Sequence, residues 1–198
     1  MSLEPKTPES EKSEAPESAD QWLRAEEKEF LYLVGAAITD WAEIDGTLFN
    51  VCAAILKANK RHVAIIYYRT PTLGARLTLV DELMRATLPE TVPGGRIDPM
   101  TKLWSTLHRD INDALSVRNQ LAHSPASPMT EIENEADGAF AITDVWWGSA
   151  MSRTEKLRGR GDKKELRIGD VQDHRKVVGH LWIRLRDFEI KLQALPSQ

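Results

Sequence analysis

The chain has 198 residues, 41% of them hydrophobic, which suffices for one globular domain with its own core and is short for two. Its single cysteine, Cys52, excludes an intrachain disulfide and a thiolate zinc cluster, and no run approaches the ~18 apolar residues of a membrane span. The net charge of −4 belongs to one end: residues 1–20 hold Glu4, Glu9, Glu11, Glu14, Glu17 and Asp20 against Lys6 and Lys12, so the remainder is formally neutral and can meet a polyanion.

Residues 1–20 are rich in Pro, Ser, Glu and Lys and read as a disordered acidic tail without the apolar stretch of a signal peptide. Residues 21–198 read as a single helical domain, and a reducing, cytoplasmic setting fits the cysteine usage. From Gln21 the pattern is helical: Leu33, Ala37, Trp41, Ile44, Leu48, Val51 and Ile55 step by three or four and draw one apolar stripe that ends at Lys57–Arg61. Cys52 lies within that run and reads as core. A shorter apolar piece, Val63–Tyr67, breaks at Thr70-Pro71, where Pro71 suits the first turn of a new helix with Thr70 as its cap. That helix carries Leu77, Val80, Leu83 and Met84 and stops near Pro89, and Thr91–Gly95 is a plain loop.

A long helix is expected from about Asp98 to Ala122, with the stripe Leu103, Leu107, Ile111, Ala114/Leu115 ending in Arg118; Ser124-Pro125 and Ser127-Pro128 close it. Residues 126–168 change character. Ala139–Trp147 is aromatic and β-branched, Glu165–Ile168 is a second short candidate strand, and a turn at Gly159–Asp162 lies between them, so a small β-hairpin insert is expected. The last helix starts near Gly169-Asp170 with Val177/Val178, Leu181, Leu185, Phe188 and Leu192. The fold class is mainly α: amphipathic helices that need partner faces, most simply an antiparallel four-helix-type bundle with a β-hairpin insert before the last helix.

The segment Arg118-Asn119-Gln120-Leu121-Ala122-His123 concentrates the chemistry of the chain. It sets a permanent cation, an amide and a group that titrates near neutral pH on the closing turns of a helix. Asn119 and His123 are four apart and share a face, while Arg118 lies about 140° around from His123 and can flank a groove with it. Spacing alone is weak, because Arg175 and His180 have the same separation inside the last helix. Arg118 pairing with an acid on another helix and His123 capping the helix C-terminus are the structural alternatives. His62, His108, His174 and His180 read as surface or satisfied core residues. No His/Asp/Glu group has metal-ligand spacing, Gly159–Lys164 lacks a dinucleotide-loop pattern, and no cofactor is implied.

The Arg-x-x-x-x-His pattern at Arg118–His123, with a polar residue after the arginine, resembles the motif of the HEPN superfamily. The resemblance implies an all-helical bundle with the motif at the end of a late helix, and a homodimer whose two motifs face a shared cleft. It also implies a metal-independent endoribonuclease of toxin–antitoxin or other defence type, with Arg118, Asn119 and His123 at the site and an antitoxin or nucleotidyltransferase as a candidate partner. The superfamily also contains non-catalytic members that bind nucleotides or scaffold complexes, which is the alternative function. The β-rich insert and the acidic tail depart from its simplest pattern. A basic stretch within that insert, Arg153, Lys156, Arg158, Arg160, Lys163 and Lys164, follows Trp146 and Trp147 and is a candidate RNA-contacting hairpin; its alternative is a solvated hairpin with the tryptophans packed on the bundle.

Overall fold

In a computed structural model, the structure describes residues 19–88, 91–92, 96–123, 127–134, 140–148 and 166–195. Helices dominate: α1 (Ala19–Leu56), α2 (Lys60–Arg69), α3 (Leu73–Thr87), α4 (Pro99–His123) and α5 (Ile168–Gln193). Two antiparallel ladders accompany them. The first pairs β1 (Thr91–Val92) with β2 (Arg96–Ile97), and the second pairs β3 (Ser127–Asn134) with β4 (Phe140–Gly148) through a register shift at Glu131/Ile132. The tail before residue 19 and the turn at Gly159–Asp162 lie outside the described residues.

The stripe read from α1 is its buried face: Phe30, Leu33, Ala37, Trp41, Ile44, Leu48, Val51 and Ile55 are all buried. Most of that stripe joins one large core. Trp41 to Ile55 of α1 pack with Val63 and Tyr67 of α2, Leu77 to Met84 of α3, Trp104 to Leu115 of α4, and Val178 to Leu192 of α5. A smaller core closes one end, where Phe30, Leu33 and Ala37 meet Leu121 near the end of α4 together with Leu166 and Val171 at the start of α5.

The distribution of these residues gives the helix directions. Trp104 meets Phe188 and Asp110 meets Arg184, so α4 and α5 are antiparallel. The start of α5 shares the small core with the start of α1, and the rest of α5 shares the large core with the rest of α1, so these two run in the same direction. This departs from a uniformly antiparallel arrangement. The short α2 makes the return between α1 and α3, which changes the parity of every later helix.

Local chemistry sets the helix ends, and several differ from expectation. Thr72, not Thr70, caps α3: its hydroxyl accepts the Ala75 N–H at 3.1 Å, while Thr70 closes α2 through its backbone N–H to Tyr67. Asp98 caps α4 by accepting from the amides of Met100 and Thr101. Lys57 ends α1 in the left-handed region at φ 47°, a position where a helix exit favours glycine. The Thr91–Gly95 loop holds a strand pair at its edge. The partner of Phe140–Gly148 is Ser127–Asn134, not residues 165–168: Leu166 forms an isolated bridge and Ile168 already begins α5. In Ser127–Asn134 the β-branched signal of Thr130 and Ile132 is diluted by Glu131 and Glu133.

Asp45 ties the first three helices together. Its Oδ1 accepts from the Tyr67 hydroxyl at 2.8 Å and its Oδ2 pairs with Arg76 Nη1 at 2.6 Å, while Arg76 Nε donates to the Thr70 carbonyl at 2.9 Å. Burial first, and the Asp45 carboxylate second, push the Tyr67 phenol far above its ordinary range, so it remains a donor whenever the chain is folded. Asp45→Ala removes the carboxylate from both at once, leaving the Tyr67 hydroxyl only the backbone carbonyl of residue 45 and Arg76 only the Thr70 carbonyl. It should cost about 1–3 kcal/mol and lower the melting temperature by several degrees, whereas a melting temperature unchanged within error in a thermal scan contradicts this role.

Candidate functional site

Arg118 lies on the packed face of α4. The buried series Trp104, Leu107, Ile111, Ala114 and Leu115 does not end there, as the spacing suggested, but resumes one turn later at Leu121. Arg118 is therefore a cation set into an apolar face, half-buried, with buried side chains before and after it. Leu121, only 7% exposed, anchors the motif by packing into the small core beside Phe30 and Val171. The register set by Trp104–Phe188 and Asp110–Arg184, continued along α4, brings Arg118 level with His174 and Arg175 of α5.

The polar environment of Arg118 is incomplete. Its Nη1 donates to Asn119 Oδ1 at 3.2 Å. Its Nε is shut off from solvent and has no hydrogen-bond partner, and no carboxylate pairs with it among the described residues. A buried donor left unmade costs about 1–3 kcal/mol, and more on a charged group. The acid partner that a purely structural arginine needs is absent from the described surroundings. Asn119 is exposed. His123 is the last residue of α4, so its backbone continues the same helix, one turn from Asn119 and about 7.5 Å along the axis from Arg118. Its side chain lies outside the described residues, as do Arg153, Lys156, Arg158, Arg160, Lys163 and Lys164 and the side chains of Trp146 and Trp147.

The Arg175/His180 pair, equal in spacing, behaves differently. Arg175 Nε pairs with Asp40 Oδ2 at 2.7 Å, a contact that raises its pKa, and His180 is exposed. Among the described residues, one arginine of the two is compensated by an acid on a neighbouring helix and the other is not. The remaining histidines follow their bland readings: His62 is exposed, His108 stands beside Trp104, and His174 is a core residue. His174 Nε2 accepts from Trp41 Nε1 at 3.0 Å, with the rings stacked at 27°.

Clefts open between neighbouring helices of the described residues. A cleft of about 650 Å³ between α1 and α5 is lined by Leu33, Asp40, Glu43, Arg175, Gly179 and Trp182, and the Trp182 Nε1–H is buried without a partner. A smaller one of about 370 Å³ lies between α3 and α4 around Asp81, Trp104 and His108, where Asp81 Oδ1 accepts from Trp104 Nε1 at 2.9 Å. Neither is visible from spacing, because each depends on which helices become neighbours. No His/Cys/Asp/Glu group fit to hold a metal ion occurs among the described residues. No family model, curated protein or solved structure matches the chain.

His174 makes a pH-dependent contribution of defined sign. Burial lowers its pKa, opposed in part by the Asp40 carboxylate. The unfolded chain, with an ordinary histidine near ~6.5, then binds the proton more readily than the folded one. Stability is full above that value and erodes as pH falls below it toward the folded pKa. The melting temperature of the wild type should fall between pH 7.5 and 5.5, and His174→Gln, which keeps an acceptor for Trp41, should reduce that fall. Equal falls in both proteins contradict a neutral, buried His174.

Proposed function

We propose that the chain is a HEPN-like helical bundle carrying the β3–β4 hairpin as an insert, and that it cleaves RNA at Arg118, Asn119 and His123 in the cytoplasm. The observation that carries this reading is the guanidinium of Arg118, which meets no carboxylate among the described residues and has a buried donor lacking a partner, five residues before a histidine at a helix end. A cation held partly out of water without an acid calls for an anion, and a phosphodiester supplies one with two oxygens suited to the fork of an arginine.

The reaction that fits is attack by an RNA 2′-hydroxyl on the adjacent phosphorus. The 2′ oxygen forms a bond to phosphorus, the bond to the 5′ oxygen breaks, and the products are a 2′,3′-cyclic phosphate and a 5′-hydroxyl. A base takes the 2′ proton and an acid returns one to the departing oxygen. His123 suits either task, and positioned proton transfer of this kind contributes about 10²–10⁴ in rate. Arg118 neutralises the charge that builds on the phosphorane. One histidine per chain supplies one proton-transfer group, so two copies with facing motifs complete the pair. A homodimer is therefore part of the proposal, and an antitoxin-type partner fits an activity that needs restraint.

A second reading has its own observation. Arg118 Nη1 donates to the Asn119 side-chain carbonyl oxygen, which engages the acceptor of the amide with the cation. The same pair could bind a nucleotide phosphate without cutting anything.

Arg118→Met keeps the aliphatic stem and removes the orphaned charge. The proposal expects RNA cleavage to be lost while the melting temperature stays level or rises, the usual signature of a functional group held at some cost to stability. A fall of several degrees with cleavage retained assigns Arg118 to the fold instead. Loss of phosphate or nucleotide binding in a protein that never cleaves RNA selects the second reading.

A further inference from the structure

A surface where both charge and apolar area are left over lies on α2. Between Asp45 and Asp81 the chain contains no acidic residue, yet it carries Lys57, Lys60, Arg61, Arg69 and Arg76. Two of these are used internally: Arg76 pairs with Asp45, and Lys60 Nζ donates to Asn50 Oδ1. Lys57, Arg61 and Arg69 are exposed and have no ion pair among the described residues. On other helices Arg85, Arg109, Arg175, Lys176, Arg184 and Lys191 each stand beside a carboxylate.

The apolar side chains of α2 are equally unspent. Val63 and Tyr67 are buried on the inner side. At 100° per residue, Arg61, Ile65 and Arg69 fall on the opposite side, flanked by Tyr68 and Ile66. Ile65, Ile66 and Tyr68 are 56%, 54% and 50% exposed. The outer face of this short helix therefore interleaves cations that have no ion pair among the described residues with large apolar groups.

Four occupants can be compared. RNA would use the cations but gains nothing from two isoleucines. Tyr68 is a poor platform for a base, because Phe49 stacks on its ring at 5.5 Å and the Arg76 guanidinium lies over it at 5.1 Å. The acidic tail of the same chain offers little: α1 puts about 39 Å between Ala19 and the level of Asp45, Glu9 and all later tail acids can span at most about 34 Å from Ala19, and only Glu4 can reach further. A second copy would have to set this cationic face against an equally cationic one if the contact were two-fold. A bilayer with anionic headgroups accepts both features together, since cations stay at headgroup level while aliphatic side chains enter just beneath. A convex helix suits that flat, yielding surface.

We propose that the outer face of α2 docks on an anionic lipid surface, with Lys57, Arg61 and Arg69 at the headgroups and Ile65 and Ile66 in the interface. The attachment is peripheral, for no helix among the described residues is long and apolar enough to cross a membrane. It is independent of the ribonuclease reading, because it uses no residue of the Arg118–His123 motif.

The test is flotation of the full chain with phosphatidylcholine vesicles, with and without phosphatidylglycerol, at low and high salt. The wild type, Arg61→Gln/Arg69→Gln and Ile65→Ser/Ile66→Ser are compared, after thermal scans show that these exposed changes leave the fold intact. The expected result is binding only to the anionic vesicles, weakened by salt, and reduced about tenfold or more in each double variant. No flotation of the wild type overturns the proposal. So does full binding by the isoleucine variant, which reduces the contact to diffuse charge. Capture of an RNA oligonucleotide through Arg61 and Arg69 without vesicle binding also overturns it and assigns α2 to nucleic acid. A dimer that dissociates in the isoleucine variant, again without vesicle binding, assigns the face to a second copy.

Discussion

The apolar stripe of α1 from Phe30 to Ile55 is the surface on which the other helices assemble. A helix buries such a stripe only by recruiting partners along its whole length, and here the partners change along the way. The large core takes the stripe from Trp41 onward, and the small core takes its first part. Trp41 stands at the junction, where its indole donates to His174. A buried donor and a buried acceptor satisfy each other there, which fixes the register of α5 against α1 more narrowly than greasy contact does. The end of α4 then packs beside Phe30, which places Leu121, within the Arg118–His123 segment, in the small core.

That location gives the motif its physical character. Arg118 interrupts a buried face where a leucine would be unremarkable, and its described neighbours supply an amide but no acid. Arg175 shows what the same side chain looks like when the structure compensates it. The two cases share sequence spacing and differ in whether a carboxylate on another helix reaches them. Among the described residues, Arg175 has its carboxylate and Arg118 has none.

The helices were legible in the sequence because each carries a 3.6-residue apolar period, and the stripes of α1 and α5 coincide with their buried faces. The ends were less so. Thr70 and Thr72 are both chemically able to cap, and only the path of the chain decides which hydroxyl meets the Ala75 amide. Ser127–Asn134 hides its strand character behind alternating glutamates. Directions lie further from the sequence still, since the shared direction of α1 and α5 follows from the ten-residue turnback of α2, and no periodicity encodes it. At the site, the residue types and the helix end were readable. The continuation of the buried face to Leu121 and the missing acid are properties of tertiary packing, as are the cleft between α1 and α5 and the unpaired cations of α2.

The most direct measurement is RNA cleavage in EDTA by the wild type and His123→Ala, side by side on total tRNA and a mixed-sequence RNA. Cleavage by the wild type alone, leaving 2′,3′-cyclic phosphate and 5′-hydroxyl ends, is the predicted result. Intact RNA with both proteins, or equal cleavage by both, contradicts a catalytic centre at the end of α4.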